Sequence, residues 1–326
     1  MDPAFSRGQR IRRTLIQGAF SALANVGERS SALREARKHV DVIRDVTYGP
    51  HSDNKLDVYV PTVATRPMPV LLYIHGGAFT LCSKRTHRGI GYMNAHHTGA
   101  VVFNIDYRLA PEHRFPAAIE DACAAYHWVV KNCAHFGGDP ARIVVAGESA
   151  GGNLALGVGV AACYERPEPW TKAVFDLNRQ PVGLQPLMPF LQVSSPSQRL
   201  SSPRISSYVR NLVQDIAVAY LGQGQTASSE ANRMADPVRV LEECGRPQRP
   251  LPPIYSGVGT ADLCLQDVKR LQRACEKLGA SIQVELYPGE PHAFQVMRWR
   301  PNTRRFWRDN FAFLAQAYGG GQRKAA

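Results

Sequence analysis

Five residues of strand type, Arg142-Ile143-Val144-Val145-Ala146, open directly on Gly147-Glu148-Ser149-Ala150-Gly151. The run after them, Gly152 to Cys163, is small and apolar and contains no proline. The pattern predicts a buried strand, a sharp turn and a buried helix. A G-x-S-x-G turn in that setting pushes the serine hydroxyl outward, while the two glycines let neighbouring backbones pass closely. Ser149 is therefore a candidate nucleophile, and the rest of the chain must supply a base, an acid and donors for an oxyanion.

The chain has 326 residues, enough for one large α/β domain with insertions or for two smaller ones. No run of 18 consecutive apolar residues predicts a spanning helix. Seven cysteines, an odd number with no C-x-x-C pair, read as reduced and mostly buried thiols of a cytoplasmic protein. The formal net charge of +12 is concentrated at the ends: residues 1–47 carry +4, residues 298–326 carry +6, and the remaining residues only +2. That distribution reads as solvated basic tails. No zinc-finger, RNA-binding or aromatic-interleaved basic pattern points to nucleic acid. Arg10, Arg12 and Arg13 precede a moderately apolar stretch, but Leu15, Ala19, Ala22, Leu23 and Val26 recur at helical spacing. An amphipathic helix is expected there rather than a secretory signal.

Strand-like runs recur along the chain. Val40 to Tyr48 and Leu56 to Val60 read as an antiparallel pair around the turn residues Gly49-Pro50 and Asp53-Asn54. Val70 to Ile74, Val101 to Ile105, Val182 to Leu187, Ile254 to Val258 and Ile282 to Tyr287 follow, with helical patterns at Ala117 to Lys131 and Leu263 to Leu278. Alternating apolar strands and helices predict a mostly parallel sheet covered on both faces. Residues 1–39 and 188–225 break the alternation and are expected to form a cap. The catalytic domain would then span residues 40–187 and 226–326. The second region is rich in Ser, Pro and Arg, but Phe190, Leu191, Leu200, Ile205, Tyr208, Leu212, Val213, Ile216 and Tyr220 argue for a folded insertion.

His75-Gly76-Gly77-Ala78-Phe79 directly follows the Val70 to Ile74 run. A tetrahedral oxyanion needs backbone N–H donors aimed at it. Two of Gly76, Gly77 and Ala78, together with Ala150, are the candidates. The base should be a histidine after Ser149. His292 lies just beyond the last strand, at the end of a sheet where sites gather. His87, His96, His97, His113, His127 and His135 precede the serine and read as surface histidines. The acid should lie between serine and histidine after a strand, which selects Asp262. Asp267 falls inside a predicted helix and reads as a solvated or helix-start charge.

These residues resemble the hormone-sensitive lipase-like branch of the α/β-hydrolases, which includes the bacterial family IV carboxylesterases. The resemblance is carried by His75-Gly76-Gly77-Ala78-Phe79, Gly147 to Asn153, Gly259-Thr260-Ala261-Asp262-Leu263 and Pro291-His292-Ala293-Phe294. Asp106-Tyr107-Arg108-Leu109-Ala110-Pro111-Glu112-His113, followed by Phe115-Pro116-Ala117-Ala118, is specific to that branch. It extends from about residue 40 to about residue 297 and implies the α/β-hydrolase fold. The expected architecture is a mostly parallel sheet of about eight strands, flanked by helices and closed by a helical cap.

The implied chemistry is hydrolysis of short- to medium-chain carboxylic esters by Ser149, His292 and Asp262, with no metal and no organic cofactor. A closely related amidase or deacetylase would share every motif. A non-catalytic ligand-binding member of the fold is disfavoured because His292 is present. Phe79, Met188 and Phe190 are expected to line the substrate pocket. The expected partner is a small-molecule ester, with no nucleic acid and no stable membrane insertion; a homodimer is left open. Two departures stand out. Ala78 replaces the usual third glycine, and Leu263 follows the acid where proline is common.

Overall fold

The computed structural model describes residues 14, 17, 18, 22 and 30–319, apart from 64, 66, 197–205 and 298. Most of the amphipathic stretch read in the first 29 residues, and Leu200 and Ile205 of the insertion, lie outside the described residues.

Eight strands form one sheet: β1 (Val40–Thr47), β2 (Lys55–Pro61), β3 (Met68–Ile74), β4 (Val101–Ile105), β5 (Gly138–Glu148), β6 (Gly183–Leu187), β7 (Ile254–Gly259) and β8 (Ile282–Tyr287). Their order is β1-β2-β4-β3-β5-β6-β7-β8. β2 pairs antiparallel with β1 and β4, and the pairs from β4 through β8 are parallel. The expected antiparallel pair and parallel sheet are both present. Because β3 to β8 run the same way, the loops after them emerge along one edge.

The core follows the two-residue period of the strands. Val70, Leu72 and Ile74 of β3 and Ile143 and Val145 of β5 point to one face. Leu71 and Tyr73, with Val144 and Ala146, point to the other. The first face is covered by α3 (Ala117–Asn132), α4 (Ala150–Cys163), α5 (Pro169–Phe175), α7 (Pro237–Glu243) and α8 (Leu265–Leu278). The second is covered by α1 (Ser31–Lys38), α2 (Arg88–Thr98) and α9 (Pro301–Ala317). All residues of α4 are buried, which explains why its sequence is apolar all round rather than striped. The insertion contributes α6 (Ser207–Leu221), capped by the Ser206 hydroxyl, which accepts from the Val209 amide.

Two expectations change. The basic C-terminal stretch is not simply a solvated tail: residues 301–317 form α9, and its Phe306, Phe313 and Leu314 are buried. Its charges face outward and pair, Arg305 with Glu285 at 2.7 Å and with Asp309 at 3.3 Å. Asp267 is fully buried in the first turn of α8, where its carboxylate accepts the Leu191 amide at 2.9 Å. Tyr208 of the insertion is exposed, whereas Val213 and Tyr220 are buried as expected.

All seven cysteines are free and six of them are buried. No helix among the described residues is long and apolar enough to cross a membrane. Leu154 is fully buried in α4, so Leu154→Ala is expected to lower the unfolding free energy by about 2–5 kcal/mol. Urea denaturation followed by circular dichroism measures this, and the variant should remain folded without denaturant.

Candidate active site

Ser149 sits between β5 and α4 with φ 55° and ψ −116°. The turn is tight enough to exclude side chains on either side of it. A Cβ on Gly147 would lie 2.4 Å from the Gly151 carbonyl oxygen, and one on Gly151 only 2.0 Å from that of Ile74. Both glycines of the motif are thus required by close approach. The Ser149 amide donates to Leu187 O at 3.0 Å, and its carbonyl accepts from Phe190 N at 3.1 Å. These bonds tie the turn to the end of β6 and the start of the insertion.

His292 and Asp262 come from the loops after β8 and β7. The two loops are joined by backbone bonds: Ala261 N donates to Glu290 O at 3.1 Å, and Thr260 N to Tyr287 O at 3.0 Å. His292 Nδ1 lies 2.9 and 3.0 Å from the two Asp262 carboxylate oxygens, and its Nε2 lies 3.0 Å from Ser149 Oγ. Asp262 Oδ1 also accepts the Cys264 amide at 2.7 Å. The Asp262 side chain is completely shielded, whereas the His292 ring is partly open to the cavity. The carboxylate can therefore hold the imidazole with Nδ1 protonated and Nε2 free to accept a proton from the serine.

The loop after β3 carries three positive-φ residues in succession, Gly77, Ala78 and Phe79. Of its candidate oxyanion donors, Gly76 is already committed: its amide donates to Glu148 Oε1 at 2.6 Å. The amides of Gly77, Ala78 and Ala150 have no hydrogen-bond partner among the described residues. All three residues stand next to Ser149 in sequence or line the same cavity. The Ala150 amide is also the first of α4, where helix N–H groups are unsatisfied and favour negative charge.

Glu148 organises this corner. Its buried carboxylate accepts from Gly76 N, from the Tyr73 hydroxyl and from His87 Nε2, the last at 2.6 Å. His87 is accordingly no surface histidine; its ring is largely enclosed. The branch-specific segment 106–116 braces the same loop from behind. The Tyr107 hydroxyl donates to His75 O at 2.9 Å, and Ala110 N donates to Phe79 O at 2.9 Å. Arg108 in turn grips Asp121 of α3 through its Nε and Nη2 atoms.

A cavity of about 330 Å³ opens over Ser149 and His292. Met188 and Phe190 line it, with Leu212, Val213 and Ile216 of α6. Leu33 of α1, Ile90 and Met93 of α2, and Trp307 of α9 line its other side. Both sequence regions that interrupted the α/β alternation therefore reach the pocket. Phe79 does not line it. The Phe79 ring is fully buried and stacks on Tyr220 of α6, with centroids 4.0 Å apart, so it joins the loop to the insertion. Sequence reasoning had no signal for α2 and α9 as pocket walls. His87 was visible only as one histidine among ten.

Among the described residues, two groups bring three metal-type ligand atoms within 4.8 Å of one another: His51, Asp53 and His113, and Asp262, Cys264 and His292. The second overlaps the Asp262–His292 pair, whose facing atoms already hydrogen-bond each other.

Asn153, two residues past the motif, donates to Phe190 O and Ala235 O at 2.9 Å each. Asn153→Ala would remove both of these buried hydrogen bonds. It is expected to cost about 1–3 kcal/mol and to speed proteolytic cleavage near Phe190. Thermal denaturation and limited proteolysis check this.

The family model described as alpha/beta hydrolase fold matches residues 71–296. The carboxylesterase NlhH of Mycobacterium tuberculosis is 46% identical over 112 residues, covering 34% of this chain and 35% of that protein. Human hormone-sensitive lipase is 42% identical over 105 residues, covering 32% of this chain and 10% of the lipase. The chain thus aligns with only a minor part of the length of these relatives. A Pyrobaculum calidifontis esterase structure superposes with a TM-score of 0.72 at 25% identity, covering 93% of this chain and 92% of that one. The chain belongs to the alpha/beta hydrolase fold family, and its similarity to hormone-sensitive lipase and NlhH bears out the branch that its motifs resemble.

Proposed function

We propose that this protein is a serine carboxylesterase that hydrolyses short- to medium-chain esters through an acyl-enzyme. The observation that carries the reading is the unbroken line Asp262–His292–Ser149, which ends in an apolar cavity beside unpartnered backbone amides. The esterase names of the similar proteins support it.

An ester carbonyl seated over Ser149 is attacked by Oγ as His292 Nε2 takes its proton. The developing oxyanion is held by the amides of Gly77, Ala78 and Ala150, which need no reorganisation to receive it. Collapse of the tetrahedral intermediate expels the alcohol, protonated by His292. Water deprotonated by the same imidazole then attacks the acyl-enzyme and releases the acid. Asp262, through its contacts with Nδ1, stabilises the imidazolium. These steps use side chains and amides of this chain and water.

The chain-length preference rests on the cavity. Its volume lies at the lower end of the range for small-molecule pockets, and its walls are Leu, Ile, Val, Met, Phe and Trp side chains. In the proposed domain arrangement, residues 1–39 and 188–225 form the cap, and residues 40–187 and 226–326 form the catalytic domain.

Turnover of a p-nitrophenyl ester series is expected to peak at short to medium acyl chains. Ser149→Ala should lower kcat by roughly 10⁴-fold or more while leaving the fold intact. No turnover by folded wild-type protein on any ester would overturn the proposal.

A further inference from the structure

We infer that His87 and Glu148 form a charge-compensated clamp that positions the oxyanion loop, and that hydrolysis requires His87 to be protonated. The inference rests on the esterase reading above. His87 and Glu148 are positioning residues: they act through the backbone of Gly76 rather than on the substrate.

The geometry favours the imidazole as a cation. His87 Nε2 lies 2.6 Å from Glu148 Oε1. Its Nδ1 faces Thr86 Oγ1 at 2.8 Å and Ser83 O at 3.3 Å. The Thr86 hydroxyl donates its own proton to Ser83 O at 2.8 Å and accepts the Ser83 amide at 3.0 Å, which leaves one lone pair for His87. With the Thr86 proton committed to Ser83 O, both ring nitrogens face acceptors, an arrangement that the doubly protonated ring satisfies in full.

Glu148 needs that cation. Its carboxylate is buried one residue before the nucleophile and holds the amide of Gly76, one residue before the oxyanion donors Gly77 and Ala78. A bare carboxylate there would oppose the negative charge that builds up on the substrate oxygen. Paired with the His87 imidazolium, it keeps its grip on Gly76 while the corner is electrically neutral. The pair thus lets an anionic anchor sit beside an anion-binding site.

The neighbouring ionisable groups leave the alkaline transition to His87. Burial alone would push the His87 imidazole down, but the Glu148 carboxylate outweighs it and holds the group above its ordinary value. Burial would push the Glu148 carboxyl up, and His87, Tyr73 and the Gly76 amide together reverse this. Burial drives His75, stacked on His87, down to about 3, and Asp106 up to about 6. Burial raises the Tyr73 and Tyr107 hydroxyls, and it pushes the Cys82 thiol up to about 12. The sign follows: a raised histidine keeps its proton through neutrality and loses it as pH rises, so the clamp fails on the alkaline side.

The test is a double-mutant cycle on p-nitrophenyl butyrate, with kcat and KM measured from acid to alkaline pH. Wild type should show an alkaline fall in kcat. His87→Gln should lower kcat by roughly tenfold or more at neutral pH with little change in KM, and the alkaline fall should disappear. Glu148→Gln keeps an acceptor for Gly76 but removes the charge, so in that background His87→Gln should cost only a fraction of its wild-type effect. NMR titration of the His87 ring gives a second reading: its protonation midpoint should drop in Glu148→Gln. A wild-type alkaline limb unchanged by His87→Gln, additive effects in the cycle, or an unmoved His87 midpoint would each overturn the inference. Wild-type protein inactive on every ester would instead overturn the esterase reading beneath it.

Discussion

The backbone of Ser149, at φ 55° and ψ −116°, is a conformation that a residue with a side chain adopts only when its surroundings force it. Here they do. β5 is paired on both sides, to β3 and to β6, up to Gly147 and Glu148, so the chain cannot turn earlier. Gly151 then packs against the Ile74 carbonyl, which draws α4 directly over the sheet. The strain costs on the order of 1–3 kcal/mol, and it is offset by a helix whose every residue is buried. The turn lifts the serine hydroxyl above the sheet edge. The unpartnered amide of Ala150, the first of α4, follows directly, so the proposed nucleophile and one proposed oxyanion donor share one turn.

Around that turn the loops are held by buried carboxylates that receive backbone amides. Glu148 takes Gly76, Asp262 takes Cys264, Asp267 takes Leu191, Asp121 takes Arg108, and Asp236 takes both Val193 and Ser194. A carboxylate that is removed from water must find donors. Loop amides left over from strand ends need acceptors. Satisfying both at once gives irregular segments the rigidity that regular structure gives the sheet. Charge-assisted bonds of this kind are stronger than neutral ones, which suits loops that must hold an active site in place. The same logic explains why the segment 106–116 carries a signature of its own: Tyr107, Arg108 and Ala110 brace the loop after β3 against α3 and are not among the residues that line the cavity.

Most of the fold was legible in the sequence because its strands are short apolar runs with clean ends, as at Val101–Ile105 and Ile282–Tyr287, where observed and expected limits coincide. The turn at Ser149 and the loops that carry Asp262 and His292 were legible for the same reason: each follows such a run, and the parallel topology brings their ends together. The errors have physical causes. α9 was hidden because its exposed arginines dominate the local composition while Phe306, Phe313 and Leu314 supply its buried stripe. α2 carries two glycines and two histidines in eleven residues, which masks its helical period. Asp267 read as solvated because an acidic residue in a first helical turn usually is; its burial depends on Leu191, a residue far away in sequence. Phe79 turned away from the pocket because its own positive φ redirects its side chain toward Tyr220. His87 gained its partner only through the fold, since nothing local links it to Glu148.

The central claim is that Ser149 Oγ is the atom that attacks. The most direct measurement is reaction of the native protein with a p-nitrophenyl alkylphosphonate, followed by peptide mass spectrometry and active-site titration. A serine nucleophile served by His292 should release one p-nitrophenol per chain and leave one phosphonyl group on the peptide that contains Ser149. A label on any other residue, or no covalent adduct from protein that hydrolyses esters, would contradict the account.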